Sequence, residues 1–122
     1  MKKLFFTLFF AAVLSAISAR AQKIELEKVI IDKDNCTITR KSDGKVFNLY
    51  GNVKIVDSFE DFRVKIVTSW EDARIKFRDC STNSCCEFHE VDSFYDMRIK
   101  IVDSFEDFRI QIVGSFPGIT HQ

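Results

Sequence analysis

The sequence predicts an all-β protein assembled from short strand-and-turn units. A decapeptide, Lys54 to Arg63, recurs letter for letter as Lys100 to Arg109. From Gly51 onward there is no Leu and a single Ala (Ala73), while Val and Ile together supply 15 residues. Such β-branched residues, with Phe and Trp, suit a pleated surface, whereas long helices lean on Ala, Leu and Glu. Asp-Ser or an analogue punctuates each unit, and its short side-chain oxygens compete with helix by bonding nearby backbone. The period of the pattern is 11 residues, which taken alone also fits a right-handed coiled coil at about 3.67 residues per turn. Composition decides for strands.

The elements follow in chain order. Met1-Lys2-Lys3 is a basic start, Leu4 to Ile17 is almost wholly apolar, and Ala19-Arg20-Ala21 offers the small-x-small pattern of a cleavage site. Residues 1–21 therefore read as a bacterial secretion signal cut before Gln22, with the product secreted or periplasmic. The apolar run is shorter than the ~20 residues that span a bilayer, so no membrane span is expected after cleavage. Loss of Lys2, Lys3 and Arg20 turns 18 basic against 18 acidic residues into 15 against 18, a net of −3. That balance excludes the basic footprint of a nucleic-acid binder. Residues 22–50 come next. Lys23 to Ile31 reads as a strand, Asp32 to Asn35 as its turn, and Cys36–Arg40 with Lys45–Tyr50 as a β-hairpin around Ser42-Asp43-Gly44.

Residues 51–122 form the repeated part. Six units align on turn positions Ser58, Ser69, Cys80, Ser93, Ser104 and Ser115, spaced 11, 11, 13, 11 and 11. Val53, Val64, Ile75, Phe88, Ile99 and Ile110 are apolar in every copy. Val53-Lys54-Ile55 alternates as a half-buried strand should. Phe59 and its counterparts, Trp70 among them, are expected to return from the turn as anchors, with Phe62 as a second apolar contact. Units one to three map onto four to six, with 78–87 as the joint. Units this short cannot bury a face alone and must stack or wind on one another.

Leu49-Tyr50-Gly51-Asn52-Val53-Lys54-Ile55-Val56-Asp57-Ser58-Phe59, the repeated V-D-S-F cores and the closing Gly114-Ser115-Phe116-Pro117-Gly118 resemble the septoil-knot domain family. These are small β-proteins whose chain forms a 7(1) torus knot. The resemblance is strong over 49–118 and implies a knotted domain of six 11-residue strand/turn repeats arranged three plus three, behind the N-terminal hairpin. It implies no activity. The third unit departs from the pattern, with Arg78, Cys80 and Ser81 in place of Val, Ser and Phe.

Candidate chemistry centres on that irregular unit. An even set of four cysteines in an exported chain reads first as two disulfides. A bond between neighbours Cys85 and Cys86 is strained, which leaves one of them tied to Cys80 and the other to Cys36. The rival reading is a metal-binding or thiol-redox protein using Cys80, Cys85, Cys86 and His89, though their spacing matches no standard zinc knuckle. The acids Asp57/Asp61, Asp92/Asp96 and Asp103/Asp107, with Asp72, read as turn caps that pair with Arg63, Arg74, Arg98 and Arg109. Gathered calcium ligands are the rival there. His89 falls in a column of outward lysines, and Glu90 in a column otherwise of Ile and Phe, where it either reaches solvent or is perturbed. No catalytic residue and no cofactor emerges. The expectation is a non-enzymatic structural or binding module whose partner is a protein or envelope component. Arg78, Glu87, His89 and Glu90 form its candidate interaction patch.

Overall fold

A computed structural model describes residues 23–120, so the leader expected at 1–21 lies outside the described residues. Strands β1 (Lys23–Glu25), β2 (Val29–Asp32), β3 (Thr37–Arg40) and β4 (Val46–Asn48) form an antiparallel meander in that order. The stretch read as one strand from Lys23 to Ile31 is two, because Leu26 N–H donates to Val29 O and turns the chain. Alternation then sets the faces: Val29, Ile31, Ile38 and Phe47 are buried, with Ile31 beside Ile38 and Ile38 beside Phe47.

Six further strands run parallel and close on themselves. They are β5 (Gly51–Ile55), β6 (Phe62–Ile66), β7 (Ala73–Arg78), β8 (Glu87–Glu90), β9 (Met97–Ile101) and β10 (Phe108–Ile112). Round the ring the order is β10, β6, β9, β5, β8, β7 and back to β10, while the short β11 (Gly118–Ile119) lies antiparallel on β7. The second half of the chain thus inserts its strands between those of the first. Closure leaves no long open edge for a stray strand to pair with.

The inward faces are two stacked columns. Val53, Val64, Ile75, Phe88, Ile99 and Ile110 are fully buried. Two residues earlier in each unit stand Gly51, Phe62, Ala73, Cys86, Met97 and Phe108, also buried. In this second column the small members sit together, on β5, on β7 and just before β8, and the large ones on β9, β6 and β10. Leu49 comes in at the small side, where its carbonyl accepts Cys86 N–H at 2.9 Å. Phe47 of the meander meets Phe62 edge-on at 4.9 Å, and Phe62 meets Phe108 at 5.8 Å, so meander and ring share one core.

Parallel neighbours ordinarily need a dozen or more connecting residues, yet β5 reaches β6 through 56–61 alone. The register explains how. Ile55 and Phe62 both lie opposite Ile99 of the intervening β9, so the loop spans only two strand spacings, about 10 Å. Ile66 and Ala73 flank Ile110 in the same way, Glu90 and Met97 flank Val53, and Ile101 and Phe108 flank Val64.

Each of these loops is fastened to the strand it crosses by an aspartate. Asp61 N–H donates to Arg98 O, and Arg98 N–H returns a bond to Asp61 Oδ2 at 2.7 Å. The same exchange joins Asp72 to Arg109, Asp96 to Asn52 and Asp107 to Arg63, at 2.9, 2.9 and 2.8 Å. The aspartates are therefore caps, but on strands 37 or 44 residues away. Asp61, Asp96 and Asp107 form no ion pair with the arginine two residues on. Arginines in that position take the preceding glutamate: Arg63 with Glu60, Arg74 with Glu71 and Arg109 with Glu106. Where Tyr95 replaces that glutamate, Arg98 lies over its ring at 5.7 Å and reaches Asp61 at 3.4 Å.

These contacts set the response to mutation and to acid. A hydrogen bond to a charged group contributes about 1.5–3 kcal/mol, so Asp61→Ala should destabilise by that amount in urea unfolding. Asp61→Asn keeps an acceptor and should lose less. Gly51 holds φ +105°, and a Cβ there would lie 2.7 Å from Asp96 Oδ2, so Gly51→Ala should cost at least as much.

The Arg40 guanidinium holds Asp43 at about 2, below the usual 3.8. Arg109 and then its own backbone amide depress Glu106, and its own amide followed by Arg63 depresses Glu60. Depressed carboxylates stabilise the fold above their unfolded values and lose that contribution as pH falls through the folded ones. The urea midpoint should accordingly fall from about pH 4.5 toward pH 2 and be insensitive to these groups at neutral pH.

Candidate functional site

The interior is filled by the two columns above, so a loop crossing a strand must pass outside it. Its apex residue then faces water. Phe59, Trp70, Phe94, Phe105 and Phe116 occupy that apex, with exposures from 77% for Phe105 to 93% for Phe94. The expectation that they return as core anchors is corrected: Phe62 and its counterparts fill the core, and the aromatics of the V-D-S-F turns point away from it. All five adopt left-handed backbone, φ from 56° to 63°, as the chain reverses over the clasped strand. That conformation costs a non-glycine residue roughly 1–2 kcal/mol.

Their disposition follows from topology. Loop 91–96 crosses β5, 56–61 crosses β9, 102–107 crosses β6 and 67–72 crosses β10. The segment after β10 is bonded to β7 through Val113 N–H to Ile75 O. The aromatics therefore follow one another round the ring as Phe94, Phe59, Phe105, Trp70 and Phe116, leaving β8, beside the joint, without one. Beside Trp70 opens a depression of about 650 Å³ lined by Leu26, Glu71, Glu106, Phe108 and Arg109.

The irregular unit holds the other candidate residues. Arg78 Nη1 lies 3.3 Å from Glu87 Oε1, which also accepts Thr82 Oγ1 at 3.2 Å. His89 Nδ1 is 3.1 Å from Asn52 Oδ1. Arg78, His89 and Glu90 come together with Phe77 and Asp79 round an open depression of about 370 Å³. Glu90 reaches solvent, because its column emerges at the exposed end of the strands, where Ile55, Ile66, Ile101 and Ile112 are also exposed.

The cysteines form one disulfide, Cys36–Cys85, with Cα atoms 5.8 Å apart. It ties the meander to the joint. In the chain-entropy account, closing a ring across a separation of 49 residues stabilises by about 4 kcal/mol. The second expected bond is not formed: Cys80 is an exposed free thiol, while Cys86 faces inward in the small-residue column. Burial pushes the Cys86 thiol up to about 12. Among the described residues, the metal-type cluster is Cys36, Cys85 and Cys86, whose sulfurs all lie within 4.8 Å of one another. Cys80 and His89, expected as ligands with Cys85 and Cys86, are not part of it, and Asp61, Asp72, Asp96 and Asp107 are drawn into their clasps. The signal for an inward Cys86 is present in the sequence, since it stands two residues before Phe88 as Phe62 stands before Val64.

A closed ring of parallel strands, interleaved from two halves of one chain and fastened by loops crossing outside it, defines a self-entwined β-domain. The family model of the 7(1) septoil knot domain matches residues 46–120, and the chain belongs to that family. No curated protein matches the chain.

The thiols give a direct check on this arrangement. Alkylation of the native protein should add one label, at Cys80, because Cys86 is buried and protonated. Reduction and unfolding should raise the count to four. A second label on the native protein would show that Cys86 is not enclosed as described.

Proposed function

We propose that this protein is a non-enzymatic, secreted or periplasmic binding module that engages an envelope component or protein through its exposed aromatic turns. One observation carries the reading. Five aromatic side chains occupy equivalent turn apices in strained backbone, where Asn or Gly would be more stable and more soluble. Exposed apolar surface maintained at such a cost marks an interaction surface. The disulfide accords with an oxidising compartment, and the basic-apolar leader accords with export. The crossing loops support a knotted path of the kind that the family's description names.

Replacing Phe59, Trp70, Phe94, Phe105 and Phe116 by Asn separates binding from folding. Each change should stabilise by about 1 kcal/mol, and such a gain raises Tm by roughly 4–8 °C in a domain of this size. Wild-type protein should sediment with isolated cell envelopes, with a blue shift in the emission of its single tryptophan, Trp70. The five-Asn variant should stay in the supernatant, whereas a His89→Ala, Glu90→Ala variant should still sediment. Equal sedimentation of the five-Asn and wild-type proteins would refute the aromatic surface. Loss through the His89/Glu90 change alone would move the binding site to the joint.

A further inference from the structure

The sulfur cluster is held together by more than its own bond. Leu49 N–H donates to Cys36 O at 2.9 Å, and Cys86 N–H donates to Leu49 O at 2.9 Å. One residue thus braces the backbones of two of the cysteines, and Cys85 is the chain neighbour of the second. Cys36 Sγ also lies 3.6 Å from Leu49 O. Cutting the Cys36–Cys85 bond leaves this bracing in place, so the three sulfurs remain gathered at one corner of the core.

Their arrangement favours one chemistry over another. Thiol–disulfide exchange requires the attacking sulfur in line with the bond it breaks. Cys86 Sγ is 3.6 Å from Cys85 Sγ, yet all three sulfurs lie within 4.8 Å of one another, which makes a triangle rather than a line. A triangle of sulfurs suits a cation bound at its centre. Structural zinc sites close with four ligands, and Cys80 and His89 stand outside this group. Soft thiolates suit Cu(I), zinc and iron–sulfur clusters, and of these Cu(I) is the one content with three sulfurs and no fourth ligand. Cys85 is on the exposed side, which provides the way in, while Cys36 and Cys86 are buried.

We propose that, once the Cys36–Cys85 bond is reduced, Cys36, Cys85 and Cys86 form a three-sulfur site for Cu(I). Reduction by a dithiol delivers two electrons and two protons to the S–S bond, leaves two thiols and oxidises the dithiol to its disulfide. With a phosphine, the phosphorus supplies the two electrons, and water supplies both protons and the oxygen of the phosphine oxide. Cu(I) then displaces thiol protons to solvent as Cu–S bonds form, and no electron moves in the binding step. The disulfide form is the closed state of the same site.

The test uses the exported protein, reduced anaerobically with a phosphine and titrated with Cu(I) against a chromophoric Cu(I) chelator. One equivalent should bind, with an ultraviolet sulfur-to-copper charge-transfer band and three sulfur neighbours by X-ray absorption. The oxidised protein should bind none. Loss even of an outer-shell partner costs metal sites about 10–100-fold, so Cys86→Ala, which removes a ligand, should weaken binding at least a hundredfold. Cys80→Ser should bind as wild type does. Far-UV circular dichroism of each reduced protein, with and without Cu(I), reports whether the strands persist. Two sulfur neighbours, undiminished affinity in Cys86→Ala, loss of binding in Cys80→Ser, or a reduced wild type that unfolds and is not restored by Cu(I), would each overturn the site.

Discussion

Four aspartates, each at the end of a short loop, hold both backbone hydrogen-bonding groups of one residue on a distant strand. The ring depends on this exchange. A strand beginning two residues later than its neighbour leaves the N–H and C=O of the neighbour's second residue facing open solvent at that point. The aspartate meets both, its amide giving to the carbonyl and its carboxylate accepting from the amide. The loop thereby ends in register for the next strand, and the two-residue stagger repeats. With each loop beginning and ending beside one inward residue, parallel strands are joined without the helical crossover that such connections ordinarily use. Gly51 follows from the same geometry, since Asp96 occupies the volume in which a Cβ would stand.

The same constraint decides which apolar residues are core. Between its two fastening points a loop has room for one reversal, and the interior beneath it is already filled by the strand it crosses. Its aromatic apex is therefore turned outward. Hydrophobicity alone assigns Phe59 and Phe62 to the same place, yet one is exposed and the other enclosed. Only the path of the chain separates them.

This is also where sequence ceased to be a sufficient guide. The 11-residue spacing, the excess of Val and Ile, and the invariably apolar Val53 column were legible because each is a local property of one unit. So was the link from Cys36 to one of the adjacent cysteines, which rests on the strain of a bond between neighbours. The aspartate contacts were not legible as such. Asp61 lies two residues from Arg63 and 37 from Arg98, and only the interleaving of the two halves makes the distant residue the partner. The nearby arginine is taken by Glu60, three residues before it. The sulfur cluster was half legible: Cys86 falls in an inward column, but that column runs Gly, Phe, Ala, Cys, Met, Phe and shows no constant chemistry by which to notice it.

The disulfide acts on the same interleaving. It closes residues 36–85 into a covalent ring that contains β5, β6 and β7, and β9 and β10 lie between those strands beneath loops 56–61 and 67–72. The later strands are thus laced into a closed ring, and loops of the second half cross back over β5 and β6. Loop 56–61 lies over β9 and is fastened to it at both ends, by Val56 N–H to Ile99 O and Asp61 N–H to Arg98 O. With a knotted path of the kind that the family's description names, escape would require the chain end to be drawn back under successive loops, and persistence would be set by the rate of that withdrawal more than by equilibrium stability. For a chain of this length in the extracytoplasmic setting proposed above, a slow escape route would allow a modest core to carry solvent-exposed aromatics at strained turns without the domain coming apart around them.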